Sequence, residues 1–235
     1  MEFAEKMKPW QRYLGIFWAC YCSFGGVLLQ LIIQSFHVSP IIYNTLNGIN
    51  TAIKITLLVS FVPVIFKSLK QQKAKKIILW SILILIIKFS LTIFCRFSEN
   101  NLIAYLGLTN KTNLNSQMLQ SQLESPTMWK MVYSAISIGI IGPIVEEISY
   151  RICLFGTLRK NHKILSHLIT AFLFGFQHIS MAVILFNKPE EFVYIFSYMV
   201  TSLVWTIAYA KLKTPVPGIA CHMLNNGLSI IFSMK

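Results

Sequence analysis

The sequence predicts an all-α fold, a polytopic transmembrane helical bundle of about seven spans with its N-terminus in the cytoplasm. Three observations lead there. Of 235 residues, 55% are hydrophobic and only 12% are charged, whereas a soluble domain carries about a quarter charged residues. The apolar residues gather into stretches of about 20, the length a helix needs to cross a hydrocarbon core about 30 Å thick. The 21 Lys and Arg outnumber the 8 Asp and Glu, for a net charge of +13, and most of them fall between those stretches. Such hydrophobicity excludes disorder, and 11 Gly and 8 Pro exclude a collagen-like or low-complexity chain. No linker or internal repeat divides the chain, so residues 1–235 read as a single integral membrane domain.

The first span runs from about Tyr13 to Ile33. Its apolar stretch outlasts the ~7–15-residue core of a cleaved signal peptide, and it lacks a small-x-small site. The second span is Asn44–Phe66, closed by Lys67, and the third is Ile77–Phe97, opened by Lys75 and Lys76. The fourth is Met131–Tyr150, the fifth Ile164–Phe186 and the sixth Phe192–Ala210, each bordered by Lys or Arg. The seventh, Val216–Phe232, opens on Pro215–Val216–Pro217–Gly218, and proline is favoured near a helix start. Between the third and fourth spans lies Asn100–Ser125, polar with Leu, Ile, Tyr and Met interspersed. That pattern fits a helix on the outer surface and an ordinary outer loop equally well.

The cations then sort by side. With the N-terminus inside, fourteen of the 21 are cytoplasmic: Lys6, Lys8, Arg12; Lys67, Lys70, Lys73, Lys75, Lys76; Arg151, Arg159, Lys160, Lys163; Lys211 and Lys213. Five are outside, namely Arg96, Lys111, Lys130, Lys188 and Lys235, and Lys54 and Lys88 lie within apolar runs. The alternation never breaks, which supports seven spans with the C-terminus out. Cations spread over four segments do not make the single patch a nucleic acid needs, so no nucleic-acid partner is expected. Cys20, Cys22, Cys95, Cys153 and Cys221 read as small apolar core residues without a Cys/His zinc pattern.

Ionisable residues inside spans are functional hypotheses. Lys54 and Lys88 read as structural, each pairing with a polar group or snorkelling along its stem. The fourth span carries Gly142–Pro143–Ile144–Val145–Glu146–Glu147–Ile148–Ser149–Tyr150–Arg151. Glu147 and Arg151, four apart, share a helix face and can pair. Glu146 points about 100° away and is left for other work, such as acting as a base toward water. Pro143 cannot donate a backbone hydrogen bond, which predicts a kink before the acids and a carbonyl that water could satisfy. A purely structural ion pair at the cytoplasmic membrane edge fits this segment as well. In the fifth span Phe174 lies one turn before His178 and can pack on its ring. In the seventh, His222 and Asn226 share a face, so that Asn226 can fix the imidazole's tautomer, while Asn225 faces elsewhere. An interhelical polar contact is the plainer reading of that pair. Helical rise puts Glu146 ~7 Å before the end of its span, His222 ~10 Å into its own and His178 ~20 Å into its own. One cytoplasm-facing cavity could hold all three.

The order Glu-Glu-x-x-x-Arg (Glu146, Glu147, Arg151), Phe-x-x-x-His (Phe174, His178) and His-x-x-x-Asn (His222, Asn226) resembles the CPBP family of CAAX-protease and bacteriocin-processing intramembrane proteases. The resemblance covers about Ile140 to Ser233, and residues 140–233 would be the catalytic core. It implies an intramembrane endopeptidase in which Glu146 activates water with help from His178. Glu147 would share in that activation, His222 and Asn226 would stabilise the oxyanion, and Arg151 and Phe174 would support the site. The family is described both as metalloproteases and as metal-independent glutamate proteases. No metal or other cofactor is required in the favoured reading; with a divalent metal such as zinc, Glu146, His178 and His222 would be the candidate ligands. The implied setting is a multi-pass protein of the cell membrane, its active site facing the cytoplasm. The implied partners are the lipid bilayer and a membrane-associated peptide or protein, with a role in bacteriocin processing or self-immunity. Prenylated CAAX proteins are the less favoured substrate. Two alternatives share the composition: a non-catalytic bacteriocin-immunity membrane protein, and a small-solute transporter, against which the lack of paired broken helices argues.

Overall fold

The computed structural model describes residues 7–36, 39–70, 73–108, 113–124 and 127–233. Among them every regular element is helical. The long apolar helices are α1 (Pro9–Ile33), α2 (Ile41–Lys70), α3 (Ala74–Tyr105), α5 (Met128–Leu158), α6 (Lys163–Leu185) and α7 (Pro189–Leu212), and α8 (Val216–Phe232) is shorter. A polar helix, α4 (Leu114–Leu123), falls within the segment whose form the sequence left open. Its start is set by Asn113, whose side-chain oxygen accepts the Ser116 N–H at 2.8 Å.

Helix α3 shows how a membrane bundle sorts its residues. Ser81, Ile84, Lys88, Cys95, Glu99 and Ile103 are buried, at spacings of three, four or seven residues that keep them on one helix face. Ile78, Leu79, Ile82, Ile86, Ile93, Phe94 and Phe97 face outward. The polar stripe is inside because hydrocarbon cannot satisfy it. Close packing elsewhere depends on missing side chains. At Gly175 a Cβ would lie 2.9 Å from Met199 Cγ and 3.2 Å from the Ile195 carbonyl, so α6 and α7 meet nearly backbone to backbone.

The two ends of the bundle are tied differently. At one, Gln11 Nε2 donates to the Ser60 carbonyl (3.1 Å), and the hydroxyls of Ser68 and Thr214 bond at 2.5 Å. This end gathers the Lys-rich turns. At the other, the Leu114 N–H meets both Glu191 oxygens (3.1 and 3.2 Å), and the Ser197 N–H and hydroxyl meet Glu99 Oε1 (3.2 and 2.6 Å).

Several expectations are corrected. Helix α5 runs to Leu158 instead of ending near Tyr150. Arg151 is therefore not a cytoplasmic-face cation but a fully buried residue of the bundle. Helix α3 runs on to Tyr105, beyond the expected end at Phe97. Cys20 is exposed and Cys22 half-buried, so only Cys95, Cys153 and Cys221 are core cysteines. Lys6, Lys111 and Lys235 lie outside the described residues.

The bend expected at Pro143 takes the form of a π turn, Ser137–Ile141, in which the Gly142 N–H reaches back to the Ser137 carbonyl. The next bond in that register would run from residue 143 to the Ile138 carbonyl, and proline has no N–H to give. The freed Ile138 carbonyl accepts instead from Asn226 Nδ2 at 2.9 Å. Proline in α5 thereby creates a docking point for α8.

Candidate active site

A second π segment of α5, Glu147–Phe155, carries Glu147 and Arg151 and follows directly on Glu146; all nine of its residues are buried. Arg151 Nε lies 3.3 Å from Glu147 Oε2, with side chains 0% and 1% exposed. The contact is within ion-pair range but not aligned as a hydrogen bond, and neither Nη atom has a hydrogen-bond partner among the described residues. The guanidinium is held instead by aromatic faces. Its Cζ lies 4.4 Å from the Phe174 ring, 5.2 Å from Trp205 and 5.8 Å from Tyr150.

His222 stands between the two carboxylates. Its Nδ1 is 3.2 Å from Glu147 Oε1, which as an acceptor fixes the hydrogen on Nδ1. Its Nε2 is 3.8 Å from Glu146 Oε2, a gap that a single water can bridge. Glu146 is 25% exposed, and its Oε2 is a buried oxygen with no hydrogen-bond partner among the described residues. Gly218 makes room behind Glu147, because a Cβ there would lie 3.3 Å from Oε2. His222 is thus oriented by Glu147, not by Asn226 as the i, i+4 spacing predicts; Asn226 is engaged with Ile138 and Asn225.

His178 donates Nδ1–H to the Phe174 carbonyl at 2.8 Å, which leaves Nε2 for other partners. Among the described residues no hydrogen bond or ion pair joins it to Glu146 or His222. The two histidines share a wall instead. Phe174 packs on His178 (ring centroids 4.8 Å) and on His222 (6.1 Å), so its expected place against His178 is found and its reach is wider. Trp205 stacks on His222 at 4.1 Å, and Tyr198 stacks on His178 at 4.3 Å. Neither aromatic was singled out from the sequence. Their seven-residue separation puts them on one face of α7, which is the signal that could have found them.

A cavity of about 230 Å³ adjoins the histidines. His178, His222, Asn226, Lys88 and Trp205 line its inner part, and Arg96, Glu99 and Asn113 line its far part. Glu146 and Glu147 are not in its lining and reach it through His222. The far part lies at the α4 end of the bundle, away from the Lys-rich turns. The depth count from helix ends fails for two reasons. Glu146 is twelve residues before Leu158, ~18 Å from that end. Helix α8 also begins from a buried turn, Thr214 through Ile219, so its start is no surface reference. As for a metal, no three His, Cys, Asp or Glu side chains converge in metal-holding geometry among the described residues, so Glu146, His178 and His222 form no preassembled ligand set.

Residues 128–228 match the family model described as type II CAAX prenyl endopeptidase Rce1-like. The matched stretch includes every residue of the three motifs. The chain is 25% identical over 172 residues to YdiL of Bacillus subtilis, named as a membrane peptidase, covering 73% of this chain and 67% of that protein. It is 29% identical over 126 residues to the membrane-embedded CAAX protease MroQ of Staphylococcus aureus, covering 51% of this chain and 49% of that protein. Over its C-terminal part the chain is thus similar to CAAX-type membrane peptidases, and its reading as a membrane peptidase rests on that similarity. No solved structure matches it. The three motifs read from the sequence supply the whole Glu146–His222–Glu147–Arg151 array, while Lys88, Tyr198 and Asn225 lie outside them.

Proposed function

We propose that this peptidase cleaves a membrane-associated peptide by means of a Glu146-activated water, without a metal. The observation that carries this reading is His222 held between two carboxylates, one of them committed to Arg151 and the other uncommitted. Glu146 Oε2 takes a proton from a water in the gap to His222, and His178 Nε2 helps to place that water. The hydroxide attacks the scissile carbonyl; Asn226 donates to the oxyanion, and His222 does so in the state in which its Nε2 also carries a proton. Collapse breaks the C–N bond as the proton passes to the leaving amine. Glu147 plays the part of the carboxylate that orients a catalytic imidazole, and Arg151 offsets its charge. Maturation of a bacteriocin-like peptide, or protection against one, is the role in keeping with this chemistry.

The Lys-rich end is proposed to be cytoplasmic, with the N-terminus there. The cavity then opens toward the opposite side, and the substrate approaches from it. Single cysteines placed at Lys73 and Asn115 in a cysteine-free protein would report this through a membrane-impermeant maleimide. Labelling of position 115 but not 73 in intact cells is expected, and the reverse overturns this orientation.

The mechanism is tested by reconstituting wild type and Glu146→Gln with a mixture of amphipathic and membrane-spanning peptides and reading the products by mass spectrometry. A loss of ~10²–10⁴-fold in rate is expected with unchanged insertion and melting. Undiminished cleavage by Glu146→Gln overturns the assignment of Glu146 as the base, and the absence of any product from wild type favours the non-catalytic immunity reading.

A further inference from the structure

Lys88 is an ammonium inside a membrane-spanning helix, 7% exposed, and it lines the cavity beside His178 and His222. Its Nζ donates to Asn225 Oδ1. Asn225 Nδ2 donates to Asn226 Oδ1 at 3.1 Å, and Asn226 Nδ2 donates to the Ile138 carbonyl at 2.9 Å. The chain therefore crosses three helices, from α3 through α8 to α5. Its two ends are chemically one-way. An ammonium has only hydrogens to give, and a carbonyl can only accept. Between a donor-only end and an acceptor-only end, the two amides have one consistent orientation. Each carboxamide must turn its oxygen toward Lys88 and its nitrogen toward Ile138. A side-chain amide otherwise flips at little cost, and in the flipped state Asn226 would turn its oxygen, not its N–H groups, toward the Ile138 side.

We propose that Lys88 is a positioning residue for catalysis: acting through Asn225, it holds the Asn226 carboxamide in the orientation that keeps an N–H available to the developing oxyanion. This rests on the oxyanion role proposed above for Asn226. The Asn226 nitrogen carries two hydrogens, and the Ile138 carbonyl uses one. The other remains for a substrate in the cavity that Asn226 lines. A donor pre-aimed in a water-poor site needs no reorganisation as charge develops. The desolvation of an intramembrane ammonium thereby has a functional return, a side chain that can only donate.

The test uses the full-length protein in proteoliposomes and a peptide that wild type cleaves and Glu146→Gln does not. Lys88→Met is expected to lower kcat by ~10–100-fold with KM nearly unchanged, as for loss of an outer-shell orienting group. Lys88→Arg, still donor-only, should recover most of that rate. Asn225→Asp keeps an acceptor for Lys88 but loses the donor to Asn226; it should lower kcat comparably while melting no earlier than wild type. It serves in place of Lys88→Met should that variant not fold. In an Asn226→Ala background neither change should lower kcat further. Wild-type kcat in Lys88→Met or Asn225→Asp beside an impaired Asn226→Ala overturns the positioning role. So does a loss that multiplies with that of Asn226→Ala. Full activity in Asn226→Ala itself shows instead that the oxyanion assignment has failed.

Discussion

The ion pair between Glu147 and Arg151 offers the sharpest test of how the site is held together. Both side chains are buried, 1% and 0% exposed, and 3.3 Å apart. At an effective dielectric of about 20, unit charges at that distance attract by about 5 kcal/mol. Arg151→Met removes the cation and leaves a carboxylate buried, with His222 as its remaining partner, at a cost of about 3–5 kcal/mol. Glu147→Gln is isosteric and can still accept the His222 Nδ1–H, but it strands a guanidinium whose Nη atoms have no other hydrogen-bond partner among the described residues. A similar loss of about 3–5 kcal/mol is expected. In the double variant no charge remains at this pair, and the Met side chain lies among Phe174, Trp205 and Tyr150, where sulfur–aromatic contact returns about 0.3–1.5 kcal/mol. The double variant should therefore be no less stable than either single one, with an interaction energy of about 3 kcal/mol or more. Equilibrium unfolding of all four proteins in mixed micelles gives that energy directly. Losses that add to within about 0.5 kcal/mol would refute a coupled pair and mean that aromatic packing alone holds Arg151.

Three further outcomes are expected. Gly175→Ala should destabilise the protein by about 1–3 kcal/mol, read as a lowered melting temperature in detergent, because the added methyl meets Met199 and the Ile195 backbone. Trp205→Leu should lower kcat while leaving the protein inserted, since the indole stacked at 4.1 Å is one wall that keeps His222 between the acids; an unchanged kcat would mean that Glu147 alone orients the ring. Cleavage should survive dialysis against a strong chelator, and loss of activity restored by added zinc would overturn the metal-independent mechanism.

Much of this architecture is legible in the chain because a bilayer imposes a simple rule on length and polarity. The seven apolar segments appear as helices for that reason, and the contacts within one helix follow from its period. Glu147 reaches Arg151, and Phe174 packs on His178, each over one turn. The expected end of α5 at Tyr150 was wrong for an instructive reason. An arginine reads as the edge of a membrane, yet Arg151 is carried inside by a carboxylate on its own helix and by aromatic rings on three helices. Its burial depends on partners that hydropathy does not weigh.

By itself, then, the sequence determined a helical membrane bundle, the spans and the pairs one turn apart, because helix length and the 3.6-residue period are local properties. Only the tertiary structure decided what crosses between helices. It set His222 Nδ1 on Glu147 rather than on Asn226, Asn226 on the carbonyl freed by Pro143, and Lys88 on Asn225. It also decided that the cavity runs toward α4, away from the Lys-rich end. The physical reason is that helices apolar all round carry little amphipathic signal to set how one is rotated against the next. Their rotation is settled by the few polar groups that must find one another inside hydrocarbon, and by the glycines that let backbones close to contact.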